Sequence, residues 1–202
     1  MAGSVRVKVV IFSVINQQLH LYLPAGRLSQ LPISSSSSLN SIAKKIVQEV
    51  TAEKIEEGYL EQLYTFSHPV EHDTRVDIIY FYLLPSDQIK ESHKQSFISY
   101  EHLSKNTAEY SAIGYAVQRL RWKLEYTNVV YSLLPKEFTL SELQKIYEAI
   151  LGKNLDKRNF RRKMLSLSLL RLSGKQKTGL KARPARMYSF RHRNPMMIKV
   201  FS

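Results

Sequence analysis

Charge divides this chain before any other property does. Residues 1–135 carry 13 Lys/Arg and 13 Asp/Glu, whereas residues 136–202 carry 17 Lys/Arg against 4 Asp/Glu. The whole formal net charge of +13 therefore lies in the last third of 202 residues. This reads as a neutral domain joined to a compact basic one, and a domain usually takes roughly 100–200 residues. With 44% hydrophobic and 23% charged residues the chain can bury a real core, which excludes a disordered or collagenous protein. Cysteine is absent, removing disulfides, zinc-thiolate sites and cysteine nucleophiles. The first thirty residues lack a basic start followed by an apolar run, and no stretch of about 18 apolar residues occurs. A soluble, cytoplasmic protein with no membrane partner is expected. A basic excess can be a merely solvated surface, but clustering favours nucleic acid, because phosphates reward grouped cations through counterion release. A membrane surface fits less well, since the basic residues interleave with a foldable apolar pattern.

In the neutral part, Val5, Val7, Val9 and Ile11 alternate with Arg6, Lys8 and Val10, a period-2 strand with one buried face. Asn16-Gln17-Gln18 turns the chain into a second strand over 19–23. Residues 24–38 read as a loop ending in five serines. Asn40 is a plausible N-cap for a helix through Val50, with Ile42, Ile46 and Val50 on one face. Strands are predicted over 60–66 and 76–84 around a polar loop, 67–75, with a short strand at 97–100 and a long helix over 107–125. That order makes an α+β fold.

This segment resembles the Nudix fold, and residues 31–52 carry the resemblance. A Nudix box reads G-x5-E-x7-R-E-U-x-E-E-x-G-U, with U a bulky aliphatic residue, and its glutamates hold the divalent metal that activates water against a diphosphate. Here Leu31-Pro32-Ile33-Ser34 stands where Leu-Pro-Gly-Gly is usual, and Lys45-Ile46-Val47-Gln48-Glu49-Val50-Thr51-Ala52 replaces the core. Of the core glutamates only Glu49 is kept; Ile46 and Val50 take the other two places. Magnesium needs several oxygen ligands, and one carboxylate leaves it mostly hydrated. Without the metal nothing lowers the pKa of the attacking water. The expectation is a Nudix fold without Nudix hydrolysis, with Lys45 and Glu49 as remnants, no metal and no cofactor.

In the basic part, Thr139-Leu140-Ser141-Glu142 is a capping box opening an apolar-periodic stretch, Leu140, Leu143, Ile146, Tyr147 and Ile150, with Gly152 as its C′ residue. Asp156 starts a second helix, in which Phe160, Met164 and Leu167 share one face and Arg158, Arg161 and Arg162 point away. Two short helices joined by a tight turn, the second basic outside, make a helix-turn-helix. Strands over 169–172 and 187–190 flank a basic tip, 174–186, which is the wing of a winged helix. Gly174 and Gly179 do not form a phosphate loop, because Leu180-Lys181 follows where Lys-Ser/Thr is required.

A Nudix-like domain with a terminal helix, followed by a winged helix, resembles the Nudix-related transcriptional regulators of bacteria, both the NAD-metabolism repressor group and the arabinose regulator group. The resemblance covers nearly the whole chain. It implies an α/β/α sandwich with a mixed sheet over 1–126, a linker over 127–138 and a winged helix over 139–202. It also implies a homodimer on a palindromic operator in double-stranded DNA, and a Nudix domain kept as sensor of a small effector, ADP-ribose in one group and a sugar in the other.

The candidate DNA-binding residues are Lys157, Arg158, Asn159, Arg161, Arg162 and Lys163 on the second helix and Lys175, Lys177, Lys181, Arg183 and Arg186 in the wing. Asn159 could read adenine or be a surface amide. For the effector the candidates are Arg27, Glu49, His68, His72 and Arg75, the loop histidines lacking any fixed metal-ligand spacing. The alternatives are a Nudix hydrolase acting on ADP-ribose or a related diphosphate, and an RNA-binding module.

Overall fold

The computed structural model describes residues 5–33, 36–52, 58–70, 73–107, 109–179 and 182–198. Strand β1, Val5–Ile15, is the axis of the first part. Asn16 and Gln17 adopt φ of 50° and 65°, the left-handed pair that a two-residue hairpin demands, and return the chain into β2, Gln18–Tyr22. The first half of β1 pairs instead with β3, Ser29–Pro32, inside the segment expected as loop. Four residues are too few for alternation to be legible. The last serine of the run is the N-cap of α1, Leu39–Val50: Ser38 Oγ accepts from the Ser41 N–H at 3.2 Å. The cap expected at Asn40 thus lies two residues earlier, which brings Leu39 into the apolar stripe.

Strands β4, Tyr59–Val70, and β5, Asp73–Leu83, pair from Tyr59↔Leu83 to Val70↔Asp73, with one register shift between Gln62 and Tyr64. The polar loop expected over 67–75 is therefore largely ladder, polar because it runs past the core. β5 lies parallel to β1, and β6, Phe97–Ser99, pairs with β2, giving a mixed sheet in the order β4-β5-β1-β2-β6 with β3 beside β1. α1 covers the face of Val7, Val9 and Ile11. Helix α2, Tyr110–Tyr126, covers the face of Val10, Phe12 and Val14. This is the expected α/β/α sandwich, but β1 is buried on both faces rather than one, and even Lys8 is only 6% exposed.

Residues 129–133 form a short 3-10 turn in which all five side chains are buried, so the segment expected as a linker is packed. Then follow β7, Phe138–Thr139, α3, Leu140–Leu151, α4, Lys157–Ser166, β8, Leu170–Gly179, and β9, Ala182–Phe190, with a sheet in the order β7-β9-β8. The Thr139/Glu142 capping box is fully formed, and Gly152 takes φ of 67°, the left-handed value that a side chain would oppose. Both wing strands run longer than expected. The apolar cluster against α2 continues through residues 129–134 into α3, α4 and β9, one core for both parts. The tail after β9 folds back: Asn128 donates to the Asn194 carbonyl and accepts from the Met196 N–H, and Arg193 donates to the carbonyls of Tyr131, Leu134 and Pro135. Among the described residues no helix is long and apolar enough to cross a membrane.

Candidate nucleic-acid interface and ligand cavity

Helix α4 is held down by its apolar face. Phe160 and Met164 are buried, and the Phe160 ring meets Tyr147 of α3 edge-on at 5.3 Å between centroids. Asp156 caps the helix, accepting from the Asn159 N–H at 2.8 Å. With that face fixed, Lys157, Arg158, Asn159, Arg161 and Arg162 are exposed and Lys163 is half-buried. Arg162 touches Asn159 Oδ1 at 3.1 Å, and none of the five cations has an ion-pair partner among the described residues. Five cations without counterions on one short helix can neutralise phosphates at little desolvation cost. Beside α4 an open cleft is lined by Thr139 and Ser141 at the start of α3, Arg161 of α4 and Arg186 of β9. Helix N–H groups and two guanidinium groups there suit an anion. Lys181 lies outside the described residues, as do the side chains of Lys175, Lys177 and Arg183.

A second feature lies between the sheet and the start of α2. His68 and Arg75 stand opposite each other in the β4–β5 ladder and, with Lys8, Phe66, Asp77 and Glu109, line a cavity of about 200 Å³. The Lys8 ammonium sits 3.0 Å from Asp77 Oδ2 and 3.1 Å from Glu109 Oε1, and His68 Nε2 is 3.3 Å from Asp77 Oδ2. A lysine buried in a sheet survives only when so paired. Sequence reading missed Lys8, Asp77 and Glu109. The signal was there: Lys8 and Asp77 are charges set within apolar strands, and such charges need buried partners.

The other effector candidates lie elsewhere. Arg27 is exposed after the 3-10 turn Pro24–Gly26, and Lys45 and Glu49 are exposed on α1, across the sheet from the cavity. His72 lies outside the described residues. The end of α1 is closed by Lys90, whose ammonium donates to the carbonyls of Gln48 and Glu49 at 3.0 and 2.9 Å. The Tyr22 phenol is raised above its ordinary value of 10.0, by burial first and by the Glu49 charge second. No cluster of three or more His, Cys, Asp or Glu fit to hold a metal occurs among the described residues.

α2 is fastened along its length. At its start is Glu109. On its flank Arg119 and Lys123 grip Glu61 of β4 at 2.9 and 2.7 Å, and Tyr59 donates to the same carboxylate. Burial pushes Glu61 up, but hydrogen bonds from Lys123, Tyr59 and Arg119 outweigh it and hold the carboxyl below its ordinary 4.5. Toward its end Arg121 donates to the Ile150 carbonyl of α3 at 2.9 Å.

A Nudix-like sandwich sharing its core with a winged helix defines a class: a small-molecule fold attached to a nucleic-acid-binding one. Residues 130–190 match the family model described as the NrtR DNA-binding winged helix domain. The ADPR responsive transcriptional repressor NtrR of Acinetobacter baylyi is 31% identical over 198 residues, covering 93% of this chain and 76% of that protein. The chain belongs to the NrtR family of transcriptional repressors. The crystal structure of Shewanella oneidensis NrtR superposes with a TM-score of 0.75 at 25% identity over 93% of this chain and 94% of that one. The same protein complexed with a 27mer DNA gives 0.76 at 24% identity over 93% of each chain.

Proposed function

We propose that this chain is a DNA-binding transcriptional repressor whose affinity for its operator responds to ADP-ribose, acting in the cytoplasm as a homodimer on a palindromic site. The observation that carries the reading is the exposed cationic face of α4. Arg158, Arg161 and Arg162, with Lys157 and Lys163, enter the major groove, and Asn159 lies near the base edges. Arg186 and the wing residues Lys175, Lys177, Lys181 and Arg183 neutralise phosphates. The relatives point the same way: one is an ADPR responsive repressor and another was crystallised with a 27mer DNA.

The effector enters the cavity lined by His68 and Arg75. Because Glu109 at one end of α2 lines that cavity and Arg121 near the other end holds α3, movement of α2 re-aims the winged helix. The chain is a sensor rather than a hydrolase in this reading, since Glu49 alone cannot hold magnesium. In a gel-shift assay with a duplex that the protein itself selects from a random-sequence pool, a discrete complex should weaken steeply with salt and change in amount when ADP-ribose is added. A salt-independent complex, or one indifferent to ADP-ribose, would refute the reading. Magnesium-dependent release of AMP from ADP-ribose should be absent.

A further inference from the structure

The cavity beside the start of α2 is graded from inside to outside. Asp77 is 2% exposed at its side chain and Glu109 11%, whereas His68 and Arg75 are 44% and 36% exposed. The inner layer keeps a negative excess, because Lys8 alone sits between two carboxylates. Three buried atoms here lack a hydrogen-bond partner among the described residues: the inner oxygens Asp77 Oδ1 and Glu109 Oε2, and the outer donor Arg75 Nε, which suits an acceptor such as a phosphate. A carboxylate oxygen can only accept, so what completes the two inner oxygens must be a donor. A diphosphate brings acceptors and negative charge, and would be repelled by the same two groups. The volume of about 200 Å³ falls below the roughly 300–1,000 Å³ of pockets that enclose a whole drug-sized ligand, so the cavity accepts one ring and not a dinucleotide.

We propose that this cavity holds a ribose ring of the effector, with the Asp77 and Glu109 carboxylates accepting protons from its hydroxyls, while the diphosphate stays outside at His68 and Arg75. The proposal rests on the ADP-ribose reading above and specifies which part of that molecule goes where. ADP-ribose carries two ribose rings, and the chemistry is common to both.

Isothermal titration of the full chain with ADP-ribose separates the possibilities. Glu109→Gln puts an amide donor where the carboxylate accepted, so affinity should fall at least about tenfold, as for loss of a hydrogen bond to a charged group. If the diphosphate lay inside instead, removing a negative charge would tighten binding, so unchanged or tighter binding overturns the proposal. Ser111→Trp, at an exposed residue lining the same cavity, tests occupancy without touching the ion pairs and should weaken ADP-ribose to a similar degree. Wild-type affinity in this variant also overturns the proposal. Ribose 5-phosphate and AMP identify the ring: the one whose binding is weakened by Glu109→Gln carries the sugar that enters, and either supports the assignment. Failure of the wild-type chain to bind ADP-ribose would refute the effector reading itself, and the proposal with it.

Discussion

Replacing Arg158, Arg161 and Arg162 together by alanine tests the interface where the structure is most explicit. All three are exposed, and none has an ion-pair partner among the described residues, so their removal costs the fold little. If each neutralises one phosphate, the slope of log affinity against log salt becomes shallower by about 0.9 per arginine, or about 2.7 per chain and twice that in a two-fold dimer. At 0.15 M salt this is about a hundredfold loss per chain, shrinking toward nothing near 1 M. Fluorescence anisotropy with one labelled duplex between about 0.05 and 0.3 M KCl measures both quantities. Lys44→Ala with Lys105→Ala, removing two exposed cations of the first part, supplies the comparison and should leave the slope as it is. A triple variant that binds more weakly by a constant factor, with the wild-type slope, would refute the reasoning: α4 would then act through shape and not through phosphate charge.

Three further outcomes follow from packing. A Cβ at Gly58 would fall 1.7 Å from the hydroxyl of buried Tyr82, so Gly58→Ala should destabilise by about 1–3 kcal/mol, each kcal/mol lowering Tm by roughly 2–4 °C in calorimetry. Thr139→Ala removes the cap that accepts from the Glu142 N–H at 3.1 Å, at a cost of about 1 kcal/mol measurable by urea unfolding. Glu61 is held below its ordinary carboxyl value in the folded state, so its contribution is complete above 4.5 and fades as pH falls through the depressed value; Glu61→Gln should destabilise at pH 7 and match the wild type in strong acid.

What the sequence made legible was whatever is written locally. The capping box at Thr139, the left-handed Gly152, the Asp156 cap and the Phe160/Met164 stripe each lie within a few residues of their partners, and all stand in the structure as read. The ladder end that carries His68 and Arg75 was read as loop, because polar residues pair there beyond the core, where no burial pattern marks a strand. β3 escaped because its partner is the far end of β1. The inner carboxylates were least legible of all: Lys8 and Glu109 are 101 positions apart, and only the fold brings them together. The candidate DNA helix was therefore visible in advance, whereas for the cavity only its outer pair, His68 and Arg75, was.

The packing of the junction bears on how a ligand at one end could be felt at the other. A flexible tether between sensor and winged helix would absorb any movement. Here residues 129–133 are buried instead, the apolar core is continuous, and the tail after β9 is tied back by Asn128 and Arg193. α2 spans 17 residues, about 25 Å at 1.5 Å per residue, so one continuous helix joins the cavity to α3. Its start meets the cavity and its later turns hold α3 through Arg121, so under the proposed function a shift of α2 at the cavity would be passed to the α3–α4 unit. Coupling of about 1–3 kcal/mol is the usual range between distinct sites, and one or two such contacts made or lost as α2 responds to a ligand would supply it. Under the proposed function, Ile46 and Val50 standing where a Nudix box has glutamates fit the same logic, since a sensor must release its ligand unchanged.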